Sequence, residues 1–244
     1  MKKLLALVGS LAVVTVSADF AWDDAMVVPT AVFCSQAGAQ FILERGDGVA
    51  IGDALSQVEC EAASLVAREG VVCARFGGDW YPTIAKSTRK LGNPTSFDDC
   101  QVSVRSAHAG MVCSHTELGA RPWRPTHTAS AFAYGRFGTS LGDCLELTRN
   151  ASAGVVCTNT GTYNFRGRKP TVVNENAWTD SNLLGASGQQ EFCTKSTREA
   201  RYSKVCACNG DFCAGDSWIL YDVLSRKAVG TTSSLDSCIQ AQGP

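Results

Sequence analysis

Short apolar runs, separated by turn residues, recur along the whole chain. The clearest pair is residues 40–44 (QFILE) and residues 49–52 (VAIG), joined by the turn sequence RGDG at residues 45–48. Two β-forming runs around a glycine-containing turn predict a β-hairpin. Similar pairs occur at residues 79–81 with 90–92, residues 131–134 with 137–138, and residues 218–221 with 228–230. The pattern predicts units of about three strands and one helix, with a period of roughly 40 to 50 residues.

Four of the five predicted helices begin at a serine, and in three of these an acidic residue follows three positions later. The pairs are Ser56 with Glu59, Ser96 with Asp99 and Ser140 with Asp143, and Ser234 occupies the same position near the end of the chain. This arrangement resembles a capping box. A glycine and two β-forming residues come next at Gly70, Gly110 and Gly154, which predicts a left-handed helix stop before a strand. Five other glycines come directly after a hydrophobic residue, as at a strand end: Gly52, Gly92, Gly138, Gly185 and Gly230.

The first residues predict export. Lys2 and Lys3 precede an apolar run, and small residues end it, so residues 1–18 are interpreted as a signal peptide and residues 19–244 as the mature, single domain. No later apolar run approaches the roughly 20 residues of a transmembrane helix. We therefore expect a secreted or periplasmic protein whose 12 cysteines are oxidised.

The net charge argues against nucleic acid as a partner. The chain has 22 Lys and Arg residues and 23 Asp and Glu residues; without Lys2 and Lys3, 20 basic residues face 23 acidic ones, a net charge of −3. A nucleic-acid-binding role is therefore not expected.

The cysteine spacing suggests a disulfide pattern. Four pairs are each 13 residues apart: Cys60 and Cys73, Cys100 and Cys113, Cys144 and Cys157, and Cys193 and Cys206. Cys34 occupies a strand position without a preceding helix, and Cys238 a helix position without a following strand. The repeat predicts that the four spaced pairs are disulfides, that Cys34 and Cys238 close five units into a ring, and that Cys208 pairs with Cys213. No thiol would then remain as a nucleophile.

Five ββαβ-type units in a closed ring resemble the α/β propeller of the pentein superfamily. The resemblance covers architecture over the mature chain and includes no motif. Pentein hydrolases use a free cysteine with His and acidic partners, so the predicted pairing argues against that chemistry here. The alternative fold is a five-bladed β-propeller with one helix per blade. We expect no cofactor.

Several short motifs have structural interpretations. Residues 138–142 (GTSLG) match a hydrolase nucleophile elbow, but Ser140 is also a predicted helix cap. The RGD tripeptide at residues 45–47 falls at a predicted hairpin tip, and the glycosylation sequon at Asn150 falls near a predicted helix end. Only three histidines occur, which leaves little material for a histidine metal site.

Length differences between units indicate a binding face. From strand cysteine to helix cysteine the units span 26, 27, 31, 36 and 32 residues, so units three and four carry insertions. Such insertions often form binding loops. Aromatic and cationic residues in residues 114–131 and 163–178 suit stacking on sugars and contact with carboxylates or phosphates. The candidate ligand-binding residues are Trp123, Arg124, His127, Arg166, Arg168, Lys169 and Trp178. The opposite interpretation, with Trp123 and Trp178 in the core and the cations on a solvated rim, stays open.

The favoured hypothesis is an exported, non-catalytic binding protein that recognises a glycan, an envelope polymer or a protein through these loops. One alternative is a secreted hydrolase with a site at the ring centre. Another is a structural or interaction protein of the cell envelope.

Overall fold

A computed structural model describes residues 31–116, 121–135, 138–152, 154–163, 167–174, 183–186, 190–208 and 217–243. This part of the chain is a mixed α/β structure whose elements form five consecutive segments, here called units 1 to 5. Unit 1 contains β1 (Val32–Ala37), β2 (Gln40–Arg45), β3 (Ala50–Leu55) and α1 (Gln57–Leu65). Unit 2 contains β4 (Val71–Phe76), β5 (Asp79–Ile84), β6 (Arg89–Lys90) and α2 (Phe97–Arg105).

The remaining units have the same order of strands before a helix. Unit 3 contains β7 (Met111–His115), β8 (Trp123–His127) and α3 (Leu141–Arg149). Unit 4 contains β9 (Val155–Tyr163), β10 (Gly167–Asn174), β11 (Leu183–Ala186) and α4 (Gln190–Arg198). Unit 5 contains β12 (Lys204–Cys208), β13 (Trp218–Asp222), β14 (Ala228–Thr232) and α5 (Leu235–Gln240).

The predicted helix starts are confirmed at the four serines. Ser56 forms a complete capping box with Glu59, and Ser96 and Ser140 accept hydrogen bonds from the backbone nitrogens three residues later. Ser234 caps α5 in the same way through the backbone of Ser237. A side-chain oxygen at this position satisfies a backbone N–H that the first turn of the helix leaves unpaired.

The glycine before each following strand has a different role from the predicted one. Helix α1 ends at Leu65, and its cap Val66 is right-handed, with φ −93°. Gly70 lies further on, with Glu69 in a two-residue turn where both residues have positive φ, 49° and 73°. Arg68 and Val71 exchange backbone hydrogen bonds across this turn, as in a type I′ hairpin. The glycine therefore begins the next strand instead of ending the helix.

Five of the six predicted disulfide bonds are wrong. Each strand cysteine bonds to the helix cysteine of its own unit: Cys34 to Cys60, Cys73 to Cys100, Cys113 to Cys144, Cys157 to Cys193, and Cys206 to Cys238. The ring-closing bond between Cys34 and Cys238 is therefore not formed. Cys208 is disulfide-bonded, and its predicted partner Cys213 lies outside the described residues.

The constant spacing of 13 residues reflects a connection of constant length. Helices α1 to α4 each contain nine residues, and the same tight turn leads from a helix to the next strand. Each helix packs on the first hairpin of its own unit, which brings the two cysteine Cα atoms to 5.5–6.0 Å, within the range for a disulfide. In the loop-entropy model each bridge, closing 26 to 36 residues, stabilises the fold by about 3.5 to 4 kcal/mol.

The described strands form four antiparallel sheets. Units 1, 2 and 3 have separate sheets in the orders β1-β2-β3, β4-β5-β6 and β7-β8, whereas units 4 and 5 share one sheet in the order β14-β13-β12-β11-β10-β9. No closed sheet is found among these strands. Consecutive units also pack against each other: β3 contacts β4, and α2 contacts β7.

Two of the predicted strand-end glycines allow consecutive units to pack closely. Gly52, with φ 78°, lies over β4, where an added Cβ atom would be 2.5 Å from the carbonyl oxygen of Arg75. Gly92 lies in the same way over Ser114 and His115 of unit 3. Real Cβ atoms do not approach backbone this closely, so only glycine fits here. The buried side chains of units 1 and 2, together with Val112 of unit 3, form the largest hydrophobic cluster.

A search of the described helices finds none that is long and apolar enough to cross a membrane.

Candidate functional site

The predicted residues of unit 3 lie on a strand and not on an inserted loop. Trp123, Arg124 and His127 belong to β8, which pairs with β7. In this pairing Cys113 lies opposite Pro125, just as Cys73 lies opposite Pro82 in unit 2. The extra residues of unit 3 therefore lie before and after β8. The pairing of β8 with the strand that carries the cysteine is the same as in unit 2.

Trp123 is buried in the core of unit 3. Its side chain is 6% exposed and belongs to a cluster with Cys113, Cys144 and Leu145. In the register of the hairpins it is equivalent to Trp80 of unit 2 and Trp218 of unit 5, which are also buried. Trp80 packs on Phe97 at the start of α2, with 4.2 Å between ring centroids. The indole of Trp123 is thus a packing element between hairpin and helix, and its face is covered.

Arg124 and His127 are partly exposed. Arg124 lies opposite Ser114 in the β7–β8 ladder, and burial lowers the pKa of its guanidinium. His127 lies opposite Met111, and its Nδ1 atom is 3.0 Å from the Oγ atom of Ser130. These two side chains are three residues apart on one strand, so they point to opposite faces of it.

His115 is a further histidine of this hairpin. Its ring meets Trp123 edge to face at 5.4 Å, and its Nδ1 atom is buried without a hydrogen-bond partner. Burial lowers the pKa of the imidazole, while the nearby carboxylate of Asp99 raises it in part. His115 occupies the register position of Arg75, which forms an ion pair with Glu59 on the preceding helix at 3.7 Å. The same position beside a helix cap therefore holds a permanent charge in unit 2 and a titratable ring in unit 3.

Two of the four predicted residues of unit 4 lie on β10. Arg168 and Lys169 are strand residues, opposite Thr162 and Gly161 of β9. Half of the segment predicted as a loop, residues 167–174, is thus the second arm of a hairpin. Arg166 and Trp178 lie outside the described residues.

The structure places the two predicted regions on neighbouring elements. Strand β8 of unit 3 contacts β9, and β9 is hydrogen-bonded to β10. Arg124 is one residue from the position opposite Cys113, whereas Arg168 is four residues from the position opposite Cys157. The cations of unit 4 therefore lie further along the hairpin, away from the disulfide.

The short motifs are engaged in local structure. Ser140 is the cap of α3 and accepts from the backbone of Asp143 at 3.1 Å. Arg45 of the RGD tripeptide donates to Asp47 at 2.8 Å and also contacts the carbonyl of Lys86. Asn150 ends α3 and donates to the carbonyl of Glu146 at 2.8 Å. Over the described ranges, no group of three or more His, Cys, Asp or Glu residues is placed to hold a metal ion.

An aromatic and cationic cluster on unit 2 was not predicted as a site. Lys90 Nζ lies 4.9 Å from the ring centroid of Phe76 and 4.6 Å from that of Tyr81. The two rings meet edge to face at 6.1 Å. Because the ammonium group covers both rings, the cluster stabilises the β5–β6 edge by cation–π contact. Its residues come from three consecutive strands, β4, β5 and β6, and the strand register brings them together.

No family model matches this sequence, and no curated protein is similar to it at a significant level.

Proposed function

We propose that this chain is an exported, non-catalytic binding protein that recognises an anionic polymer, such as an acidic glycan or a phosphate-containing envelope polymer. The contact surface is the far end of the β9–β10 hairpin of unit 4, with the neighbouring β8 edge of unit 3. The observation that carries the proposal is the length of this hairpin together with its charge.

The β9–β10 hairpin extends further than its counterpart in unit 2. Strand β4 ends three residues after Cys73, whereas β9 continues for six residues after Cys157. The first arm is three residues longer and the second arm, β10, is two residues longer than β5, measured from the residue opposite the strand cysteine, which corresponds to about 7 Å of extended chain. The paired strands β9 and β10 therefore extend further from their disulfide than β4 and β5 do.

The end of this hairpin is cationic. Residues 160–170 contain Arg166, Arg168 and Lys169 and no acidic residue, in a chain whose basic and acidic residues nearly balance. Guanidinium and ammonium groups form charge-assisted hydrogen bonds with carboxylates and phosphates. Tyr163 and Phe165 in the same stretch supply rings suited to stacking on a sugar.

The disulfides support a binding role by holding the hairpin base rigid. Cys157 of β9 bonds to Cys193 of α4, so the lower part of the hairpin is tied to a helix before any ligand arrives. A surface that is already ordered loses less conformational entropy on binding. Oxidised cysteines and the signal-like residues 1–18 agree with a secreted or periplasmic location.

We further propose that the five units form an open row instead of a closed ring. Cys34 and Cys238, the expected closing pair, are each bonded within their own unit. Phe33, beside Cys34, remains 42% exposed. An open row leaves the long hairpin accessible from the side and gives the molecule two distinct ends.

The test compares two double variants with equal loss of charge. Arg168→Gln with Lys169→Gln neutralises the unit 4 hairpin, and Lys86→Gln with Arg89→Gln neutralises two exposed cations of the β5–β6 hairpin. Binding to polygalacturonate and to inorganic polyphosphate is measured by calorimetry at two salt concentrations. We expect salt-dependent binding that weakens at least about tenfold in the unit 4 variant and stays unchanged in the unit 2 variant. Equal weakening in both variants, or no binding of the original chain to either polymer, contradicts the proposal.

A further inference from the structure

Consecutive units meet through the first strand of the later unit, and this strand is buried in a similar way at each junction. The residue before each strand cysteine of units 2 to 5 is fully buried: Val72, Val112, Val156 and Val205 are all 0% exposed. At the first two junctions a glycine of the preceding unit, Gly52 or Gly92, lies over the two residues that follow this cysteine. The first strand of a unit is therefore covered by the unit before it.

Unit 1 has the same strand surface without a described covering unit. Phe33 stands at the position of the four buried valines and is 42% exposed. Ser35, on the same face of β1 one residue after Cys34, is also partly exposed, whereas Ala74 at that position in unit 2 is fully buried. One end of the row thus presents an apolar face that elsewhere in the chain is an interface.

Unit 5 has the complementary surface, also uncovered. Ile51 and Leu91, each directly before a junction glycine, are 0% exposed, whereas Val229 in the same position of β14 is 54% exposed. Around Gly230 the nearest atom to an added Cβ is Leu220 of the same unit, at 3.8 Å. Among the described elements, the main contacts of β14 are with β13 and α5 of its own unit.

We propose that β14 of one copy of this chain binds β1 of a second copy, so that molecules associate end to end. Val229 and Gly230 would then contact Phe33 and Ser35 of the next copy, as Ile51 and Gly52 meet unit 2 within the chain. The interface joins two different surfaces, so it is heterologous. A heterologous contact that does not close on itself produces open-ended chains of molecules.

The backbone register at the junctions supports a second copy as the occupant. At the junction of units 2 and 3, the residue after the glycine, Asn93, donates its backbone N–H to the carbonyl of His115 at 2.5 Å. At the junction of units 4 and 5, the equivalent residue Ala186 pairs with Cys208. The corresponding residues of the two ends, Thr231 and Gln36, are both exposed. Strands β14 and β1 therefore repeat the two halves of an interface that the chain already forms internally.

Terminal units of repeat proteins usually carry a polar outer face that prevents such association. Here both ends present an exposed apolar side chain on a strand. The equivalent positions of the internal junctions are buried between units.

The test is sedimentation velocity of the chain from Asp19, from about 1 µM to about 1 mM, with Phe33→Asp, Val229→Asp and, as a control, Leu65→Asp. Leu65 is an exposed apolar residue of α1 that no junction uses. We expect a concentration-dependent series of oligomers for the original chain and for the control. Each end variant should associate at least about tenfold more weakly, with circular dichroism verifying that it is folded.

Mixing the two end variants separates this arrangement from symmetric dimerisation. In the mixture the intact β14 of Phe33→Asp can bind the intact β1 of Val229→Asp, and growth should stop at a heterodimer. A monomeric original chain, or a mixture that forms no heterodimer, overturns the proposal. Association that begins only after residues 19–30 are removed would identify that segment as the occupant of β1 and would also overturn it.

Discussion

Units 2 and 3 share one hairpin frame but differ in the elements between that hairpin and the helix. In both, a proline lies opposite the strand cysteine and a buried tryptophan lies two residues before that proline. Unit 2 continues through the short strand β6, whereas unit 3 carries four more residues between its cysteines and reaches α3 through a less regular path. The register of a side chain to the disulfide, and not the length of the unit, thus determines whether it belongs to the core.

Equivalent positions of units 2 and 3 also carry side chains with different acid–base properties. Arg75 and His115 both lie two residues after the strand cysteine, each beside the cap of the preceding helix. Arginine keeps its charge at every physiological pH, whereas histidine does not. Of these two junctions, only the one between units 2 and 3 is therefore expected to respond to mild acid.

The largest predicted effect concerns the two tryptophans. Trp80→Ala and Trp123→Ala should each lower the free energy of unfolding by about 3 to 5 kcal/mol, because each removes a large buried ring. Urea unfolding monitored by circular dichroism measures the change. Replacement by phenylalanine, which keeps a ring at the same site, is the matched control and should cost less. A Trp123→Ala chain of unchanged stability that no longer binds polygalacturonate would make Trp123 a ligand contact instead.

A smaller effect is expected at the helix caps. Ser96→Ala and Ser140→Ala should each cost about 1 kcal/mol, because one backbone N–H of α2 or α3 loses its partner. The melting temperature should fall by about 2 to 4 °C in each case, with the exposed Ser87→Ala as the control. If Ser140→Ala lowered the melting temperature no more than Ser87→Ala does, the assignment of Ser140 as a structural cap would be wrong.

The smallest effect is a pH dependence at His115, which is only partly buried. Burial lowers the pKa of this ring in the folded chain, so the unfolded chain, with a value near 6.5, binds the proton more readily. The contribution to stability is complete above that unfolded value and is lost as the pH falls through the lowered folded pKa. Urea midpoints compared at about pH 7.5 and about pH 5 should differ less in His115→Gln than in the original chain. His108→Gln, an exposed histidine of the same region, should leave the difference unchanged.

The local elements were predictable because their signals are local. The capping serines at Ser56, Ser96, Ser140 and Ser234 and the hairpin around residues 45–48 lie where the sequence pattern predicts them. A side chain that caps a helix acts within three residues, so neighbouring units do not change its effect.

Pairing and burial were harder to predict because they depend on how the helix folds back. The 13-residue spacing suggests bonds such as Cys60 to Cys73, but a fixed helix and a two-residue turn produce the same spacing. The disulfide bonds close loops of 26 to 36 residues. In the sequence alone, these varying distances indicate insertions and do not identify the bonded cysteines. Trp80, Trp123 and Trp218 follow their strand cysteines by 7, 10 and 12 residues, so only the strand register shows that they occupy equivalent core positions.

The most direct test is a map of disulfide-linked peptides prepared under non-reducing conditions. We predict one peptide pair that joins Cys34 to Cys60 and another that joins Cys206 to Cys238, with each unit holding its own bridge. A peptide that joins Cys60 to Cys73, or Cys34 to Cys238, would contradict five separately bridged units in an open row.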